Sequence, residues 1–394
     1  MSFGTAASRG VVRQLMDAGY EAVFVGGSVR DHLLGKEASD IDIATSAMPT
    51  EVKEVFSHTF DVGIQHGTVL VMMYGEPIEV TTYRTEGTYA DHRRPDEVHF
   101  VRSLEEDLKR RDFTMNALAL TLDGLCIDPF GGQEDIKKRL IRAVGNADDR
   151  FQEDALRIIR AVRFASTLGF AIEKDTANAL KNNAPLIGHI SIERIKTEMD
   201  KLFIGKYVER ALTILVESNL HRELPLFPQE IGMLSACAPF SSPLHGWAAF
   251  MIVGKFNPQD LFKAYKLSNQ DKQFLTAVSE AFQERLAGKF GTDQLYKYTE
   301  SVLQITERIF HALYPNKEYM TIEELREMKG KLPIQSKEDL CINGKDLMEW
   351  TGQRGGKWLG EWLYRAERAV LYGQCINTSK HLKEWFLSEF KRQA

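Results

Sequence analysis

Strand signals in this chain stop at about Phe151, and that discontinuity limits what its 394 residues can fold into. Before it, short β-rich runs alternate with helical stretches. Ala22-Val23-Phe24-Val25 is ended by Gly26-Gly27, and Ile41-Asp42-Ile43-Ala44 follows a short helical stretch, Val29 to Leu34, closed by Gly35. Thr68 to Tyr74, Gly75-Glu76-Pro77 and Ile78 to Tyr83 read as a hairpin. Ser103-Leu104-Glu105-Glu106 has the spacing of a capping box and opens a short basic helix toward Arg110. After Phe151 the apolar residues fall at helical spacing. Leu156, Ile159, Val162 and Phe164 do so within Asp154 to Leu168, and Ile192 to Phe203 and Tyr207 to Asn219 repeat the pattern. Prolines at 225, 228, 239 and 243 mark loops. The expected fold class is α+β: a mixed sheet with helices in the head, then an all-α remainder.

Asp40-Ile41-Asp42 is the first constellation with chemical content. In a strand, residues i and i+2 project from one face, so both carboxylates point together. Two such charges repel unless a cation lies between them, and hard oxygen ligands suit Mg²⁺, which completes its shell with waters and phosphate oxygens. Ahead of the pair runs Val25-Gly26-Gly27-Ser28-Val29-Arg30-Asp31, a strand, a Gly-Gly turn and a helix start. Glycines let a ligand approach the backbone, a helix N-terminus attracts anions, and Arg30 adds a fork-shaped phosphate donor. Glu79, in the following hairpin, is either a third metal carboxylate or a surface strand residue. In Arg110-Arg111 two adjacent arginines are not expected to face the same way, so at most one reaches a bound triphosphate, and Arg111 is the candidate.

Glu153-Asp154-Ala155-Leu156-Arg157-Ile158-Ile159-Arg160-Ala161-Val162-Arg163 is the second. On one helix, steps of three would align Asp154, Arg157, Arg160 and Arg163 along a single ridge. That ridge is either a salt-bridged surface or a protein surface that reads a base. A carboxylate accepts from the exocyclic amino group of C or A, and a guanidinium donates to the adjacent ring acceptors. U and G present a carbonyl oxygen where the carboxylate sits. A good bidentate pair is worth about 1–3 kcal/mol of discrimination, so an Asp154/Arg157 pair accepts C and A and rejects U and G. Arg160 and Arg163 are left for base stacking or for the triphosphate.

A formal net charge of −5 taken alone argues against a polyanionic substrate. Its distribution removes that objection, because Lys137 to Arg163 carries eight Lys/Arg against four Asp/Glu. An acidic total therefore does not exclude a polyanion such as RNA, held by a few placed phosphate contacts and by shape. No run approaches the roughly 18 uninterrupted apolar residues of a membrane helix, so no membrane partner is expected. The four cysteines lie far apart and read as reduced thiols. With no basic-then-apolar leader at Met1-Ser2-Phe3-Gly4-Thr5, a cytoplasmic location is expected. There is no His-Asp dipeptide, so no appended phosphohydrolase domain is expected.

These segments, in this order and together with Asp112-Phe113-Thr114-Met115-Asn116-Ala117 and Asp128-Pro129-Phe130-Gly131-Gly132, resemble the class II tRNA nucleotidyltransferases, the CCA-adding enzymes, of the Bacillus-like bacterial type. The resemblance is detailed over about residues 20 to 205 and weaker beyond. It implies a polymerase-β-like nucleotidyltransferase head (1–142), a helical neck with the nucleotide-selecting template (143–205), a helical body (206–300) and a helical tail that binds tRNA (301–394). It implies Asp40 and Asp42 as Mg²⁺ ligands, Gly27, Arg30 and Arg111 around the nucleotide, and Asp154, Arg157, Arg160 and Arg163 as the protein template. Arg84 to Pro95 resembles the family's flexible loop, associated with the switch from C to A addition. The implied activity is template-independent addition of C, C and A to the tRNA 3′ end from CTP and ATP. Bacterial poly(A) polymerases and CC-only or A-only enzymes share the head motifs and are the alternatives. A small-molecule nucleotidyltransferase needs neither the template segment nor the helical remainder, and intact Asp40 and Asp42 disfavour an RNA-binding protein with an inactive head. The number of protomers is left open.

Overall fold

The computed structural model describes residues 3–37, 40–63, 66–86 and 98–393. The chain forms two compact units: residues 1–231 with 238–246 and 264–266, and residues 232–237, 247–263 and 267–394.

The first unit is built on a mixed seven-stranded sheet. Its strands are β1 (Ala22–Val25), β2 (Asp42–Thr45), β3 (Thr59–Gly63), β4 (Thr68–Met73) and β5 (Glu76–Thr82), then, beyond a two-stranded hairpin of β6 (Arg84–Glu86) and β7 (Val98–Phe100), β8 (Ala119–Leu120) and β9 (Cys126–Ile127). The order across the sheet is β3-β4-β5-β2-β1-β8-β9. β4 and β5 form the expected hairpin, although the turn is Tyr74-Gly75, both at positive φ, and β5 already starts at Glu76. β2 and β5 run parallel with Ile43 opposite Val80. The residues just before that pair are Asp42 and Glu79, so the register sets these two side by side.

Helix α1 (Ala6–Asp17) is followed by α2 (Gly27–Leu33), α3 (Pro49–Val55), α4 (Leu104–Lys109) and α5 (Gly132–Lys138). Val23, Val25, Ala44, Tyr83, Leu108, Ala117, Ala119 and Val144 form one buried cluster on the sheet. Burial of such side chains contributes about 25 cal/mol per Å² of apolar surface, and it fixes β1 and β2, whose ends carry the glycine turn and Asp42. Ser103 caps α4 through the Glu106 N–H, as its spacing predicts.

Helices then take over, with one exception. A short parallel ladder joins β10 (Leu140–Ile141) to β11 (Ala171–Ile172), so strand structure does not end at Phe151. Helices α6 (Ala147–Glu153), α7 (Leu156–Leu168), α8 (Lys174–Asn182), α9 (Ile192–Phe203) and α10 (Val208–Glu217) follow, with α7 packed against both α9 and α10.

The second unit is helical. Within it, Glu307 accepts from Arg285 at 2.5 Å, and both side chains are buried. Toward the C-terminus, Leu347, Trp362, Ala366, Val370, Leu382 and Phe386 form a core against which Trp350, Trp358 and Trp385 pack. Among the described residues no helix is long and apolar enough to cross a membrane.

Candidate nucleotide site

The Gly26-Gly27 turn joins β1 to α2 because only glycine tolerates the backbone there: Gly26 sits at φ 77°, ψ −144°. A Cβ on Gly26 would lie 3.3 Å from Arg111 Nη1 and 3.5 Å from Asp42 Oδ2. The turn therefore lets a guanidinium and a carboxylate close over the start of α2.

One cavity of about 550 Å³ brings together nine of the ten expected residues: Gly27, Arg30, Asp40, Asp42, Arg111, Asp154, Arg157, Arg160 and Arg163. Glu79 does not line it. A larger cavity of about 710 Å³, walled by Tyr20, Leu104, Leu108, Ile127 and Pro129 among others, contains none of these groups. The charged cavity is the one with chemistry.

Asp42 opens β2, whereas Asp40 lies in the bend before the strand. The Asp42 carboxyl is pushed up by burial away from water and by the charge of Glu79; Arg111 pulls it down, and Asp40 pushes it up further. Glu79 thus acts on Asp42 through its field from the neighbouring strand. The surplus of negative charge is what a divalent cation would relieve. Among the described residues no group of three His, Cys, Asp or Glu is arranged to hold a metal. The donor set is two carboxylates, which suits Mg²⁺, an ion that takes one or two protein ligands and fills its shell from water and phosphate.

The two adjacent arginines do face the same cavity, contrary to the expectation that only one would. The reason is Asp107, buried within α4, whose Oδ1 accepts from Arg110 (2.8 Å) and Oδ2 from Arg111 (3.0 Å). Burial alone would push Asp107 up, but Arg111 and then Arg110 outweigh it and hold the carboxyl below its ordinary range. Arg111 Nε is buried with no hydrogen-bond partner, an unmet donor beside the glycine turn.

The expected single ridge is also corrected. Asp154 is not on the helix of the arginines: α6 ends at Glu153, Asp154 is extended (φ −133°), and α7 starts at Leu156. Its side chain competes with the helix for backbone donors, as Asp does at helix starts, and Oδ1 accepts from the Leu156 N–H at 3.0 Å. Oδ2 accepts from Arg194 at 2.8 Å. Arg157 is buried and donates to Glu153 (2.6 Å) and to the carbonyls of Arg150 (3.1 Å) and Arg110 (2.8 Å). Its guanidinium is therefore fixed by the protein before any base arrives.

Arg160 and Arg163 are each held by an acid. Arg160 donates through Nε and Nη2 to Asp112 Oδ2 (2.8 and 2.5 Å), and Arg163 through Nε to Glu198 (2.9 Å). Asp112 is buried, yet its carboxyl is pulled down to about 2, because Arg160 and hydrogen bonds from Asn116 and the Phe113 N–H outweigh the burial. Asn116 in turn accepts from Arg30 at 2.6 Å. Arg30 is clamped bidentately by Asp31, and the Phe164 ring lies 3.6 Å below Arg163 and 5.3 Å from Arg30, within cation–π range. A continuous polar chain thus runs Arg30–Asn116–Asp112–Arg160–Glu198–Arg163. The sequence reading gave Asp112, Asn116, Asp107 and Glu198 no role. Asp107 had a signal, its spacing to Arg110 and Arg111, but Glu198 had none. The expected flexible loop lies, from Gly87 to Pro95, outside the described residues.

Comparison with known proteins follows this geometry. The family profile described as "Poly A polymerase head domain" matches residues 22–142, and "tRNA nucleotidyltransferase domain 2" matches 239–386. The CCA-adding enzyme of Bacillus cereus (strain B4264) is 42% identical over 381 residues, covering 95% of this chain and 96% of that protein. The crystal structure of the Bacillus stearothermophilus CCA-adding enzyme in complex with CTP superposes with a TM-score of 0.87 at 40% identity, covering 98% of each chain. The Thermotoga maritima CCA-adding enzyme complexed with tRNA shares the fold, with a TM-score of 0.65 at 22% identity, covering 97% of this chain and 94% of that one. The chain belongs to the family of CCA-adding enzymes, nucleotidyltransferases with a polymerase-β-like head.

Proposed function

We infer that this protein adds C, C and A to the 3′ end of tRNA without a nucleic-acid template, using CTP and ATP and releasing pyrophosphate. The observation that carries this is the single cavity in which an Asp-x-Asp pair, a glycine phosphate cradle and an acid-and-arginine base reader meet, in a chain similar over 95% of its length to CCA-adding enzymes.

In this reading Asp40 and Asp42 hold Mg²⁺, with Glu79 setting the charge around Asp42. The chemistry such an ion supplies when bound is activation of the RNA 3′-hydroxyl and neutralisation of charge on the phosphates. The chain's own residues position the reactants. The Gly26-Gly27 backbone, Arg30 and Arg111 seat the triphosphate, and Arg110 shares that wall. The Asp154 carboxylate accepts from the amino group of C or A, while Arg157 donates to the ring acceptors. Arg160 and Arg163, braced by Asp112 and Glu198, flank the nucleotide. Positioning and charge then supply most of the rate, as in phosphoryl transfer generally. The chain divides, on this reading, into head (1–142), neck (143–205), body (206–300) and tail (301–394), with the tail binding tRNA, and works in the cytoplasm.

The test is incubation with tRNA transcripts ending before CCA, with each NTP alone and in pairs. CTP alone should add two residues, and CTP with ATP three. Long A tracts, or arrest after CC with both nucleotides present, would overturn the reading. Asp40→Ala and Asp42→Ala should lower addition by at least about 100-fold while tRNA still binds, since the positioning of the 3′-hydroxyl is lost.

A further inference from the structure

Helix α9 packs against α7 and presents Arg194, Glu198 and Lys201 at steps of four and three, one face of a helix. Each bears on the nucleotide site, Lys201 directly and the other two through residues that line it. Glu198 braces Arg163 and stands 3.8 Å from Arg160, and Lys201 lines the cavity. Arg194 does something different: it does not line the cavity, and its Nη2 donates to Asp154 Oδ2 at 2.8 Å.

Asp154 needs such a partner. It lies in the two-residue break between α6 and α7, where no helix fixes its side chain. Two bonds hold the carboxylate, one on each oxygen: the Leu156 N–H on Oδ1 and Arg194 on Oδ2. With both oxygens tethered the group cannot rotate, so its remaining lone pairs point in fixed directions. Because a guanidinium only donates, Oδ2 can face it only as an acceptor. A fixed acceptor is what separates the amino groups of C and A from the carbonyl oxygens of U and G. Arg194 Nη1 is meanwhile buried with no hydrogen-bond partner. The guanidinium is therefore placed for Asp154, not for its own full satisfaction.

We propose that Arg194 is a positioning residue for nucleotide selection: it clamps the Asp154 carboxylate and never touches the nucleotide. This rests on the role given to Asp154 above.

The experiment compares full-length wild type, Arg194→Ala, Arg194→Lys, Asp154→Ala and the Arg194→Ala/Asp154→Ala double variant on tRNA transcripts lacking CCA or A. Single-turnover incorporation is measured for all four NTPs, and the readout is the ratio of CTP to UTP and of ATP to GTP, which does not depend on the fraction of active protein. Arg194→Ala should lower both ratios by about tenfold or more, the lower range of what a lost base pairing costs, and Arg194→Lys should restore part of the loss. In the Asp154→Ala background, Arg194→Ala should lower the ratios no further. Wild-type ratios in Arg194→Ala, with Asp154→Ala impaired, would overturn the proposal while leaving the role of Asp154 standing. An equal further loss in the double variant would mean that Arg194 acts independently of Asp154, and overturns it too. Wild-type ratios in Asp154→Ala would overturn both.

Discussion

Replacing Asp112 by asparagine removes one charge from the middle of the polar chain and nearly nothing else. The amide oxygen can still accept from the Phe113 N–H (2.8 Å) and from Asn116 (3.0 Å), but the amide nitrogen then faces the donors of Arg160. The magnitude follows from the carboxyl itself. It is held at about 2 against an ordinary 3.8, and a shift of roughly two units corresponds to about 2.5 kcal/mol of stability at neutral pH. Breaking a buried pair by removing one partner costs about 3–5 kcal/mol. Arg160 is 31% exposed and can recover some hydration, so a loss of about 3 kcal/mol is expected. Urea unfolding by far-ultraviolet circular dichroism is the appropriate assay. The sign of the pH dependence is fixed: a depressed carboxyl stabilises the fold above its unfolded value and loses that contribution as pH falls through its folded value. The gap between wild type and Asp112→Asn should be flat from pH 7 to 5 and narrow only below about pH 4. A gap under about 1 kcal/mol, or one that closes between pH 7 and 5, would refute the reasoning.

Gly26→Ala places a side chain on a glycine-only backbone, costing about 1–3 kcal/mol, and pushes its Cβ against Arg111 and Asp42. CTP incorporation should fall about 100-fold, the expected result of displacing reacting groups by an ångström; wild-type kinetics would show that the cradle is not closed as described. Thiol labelling offers a check that is independent of catalysis. Burial pushes the Cys237 thiol up to about 12, whereas Cys341 is exposed, so an aromatic disulfide reagent at pH 7.5 should modify Cys341 rapidly and leave Cys237 protected until the protein unfolds.

What the sequence revealed depended on the range of the interaction. The Gly26-Gly27 turn and Asp42 were legible because they rest on local rules, glycine at positive φ and a short β-rich run, although Asp40 lies before that strand and alternation along it does not place the pair. The ridge from Asp154 to Arg163 was misread because a helical repeat says nothing about where a helix starts, and Asp154 takes its own capping bond instead of a helical one. Arg110 and Arg111 were misread because rotation along a helix was counted but the shared acceptor, Asp107, was not. The bracing acids were out of reach for another reason. Asp112 is 48 residues from Arg160, and Glu198 is 35 from Arg163. Such pairings exist only once α7, α9 and the head have packed.

The polar chain from Arg30 to Arg163 also bears on how a site like this changes over generations. Each link both donates or accepts and is itself held, so a single substitution strands a neighbour's charge. A lineage drifting toward a different nucleotide preference would have to cross such strained intermediates or alter two links together. The record of that drift should therefore be paired replacements, an arginine and the acid that holds it lost or gained in step. Positions 160 with 112, and 163 with 198, are where a comparison of sequences should find them.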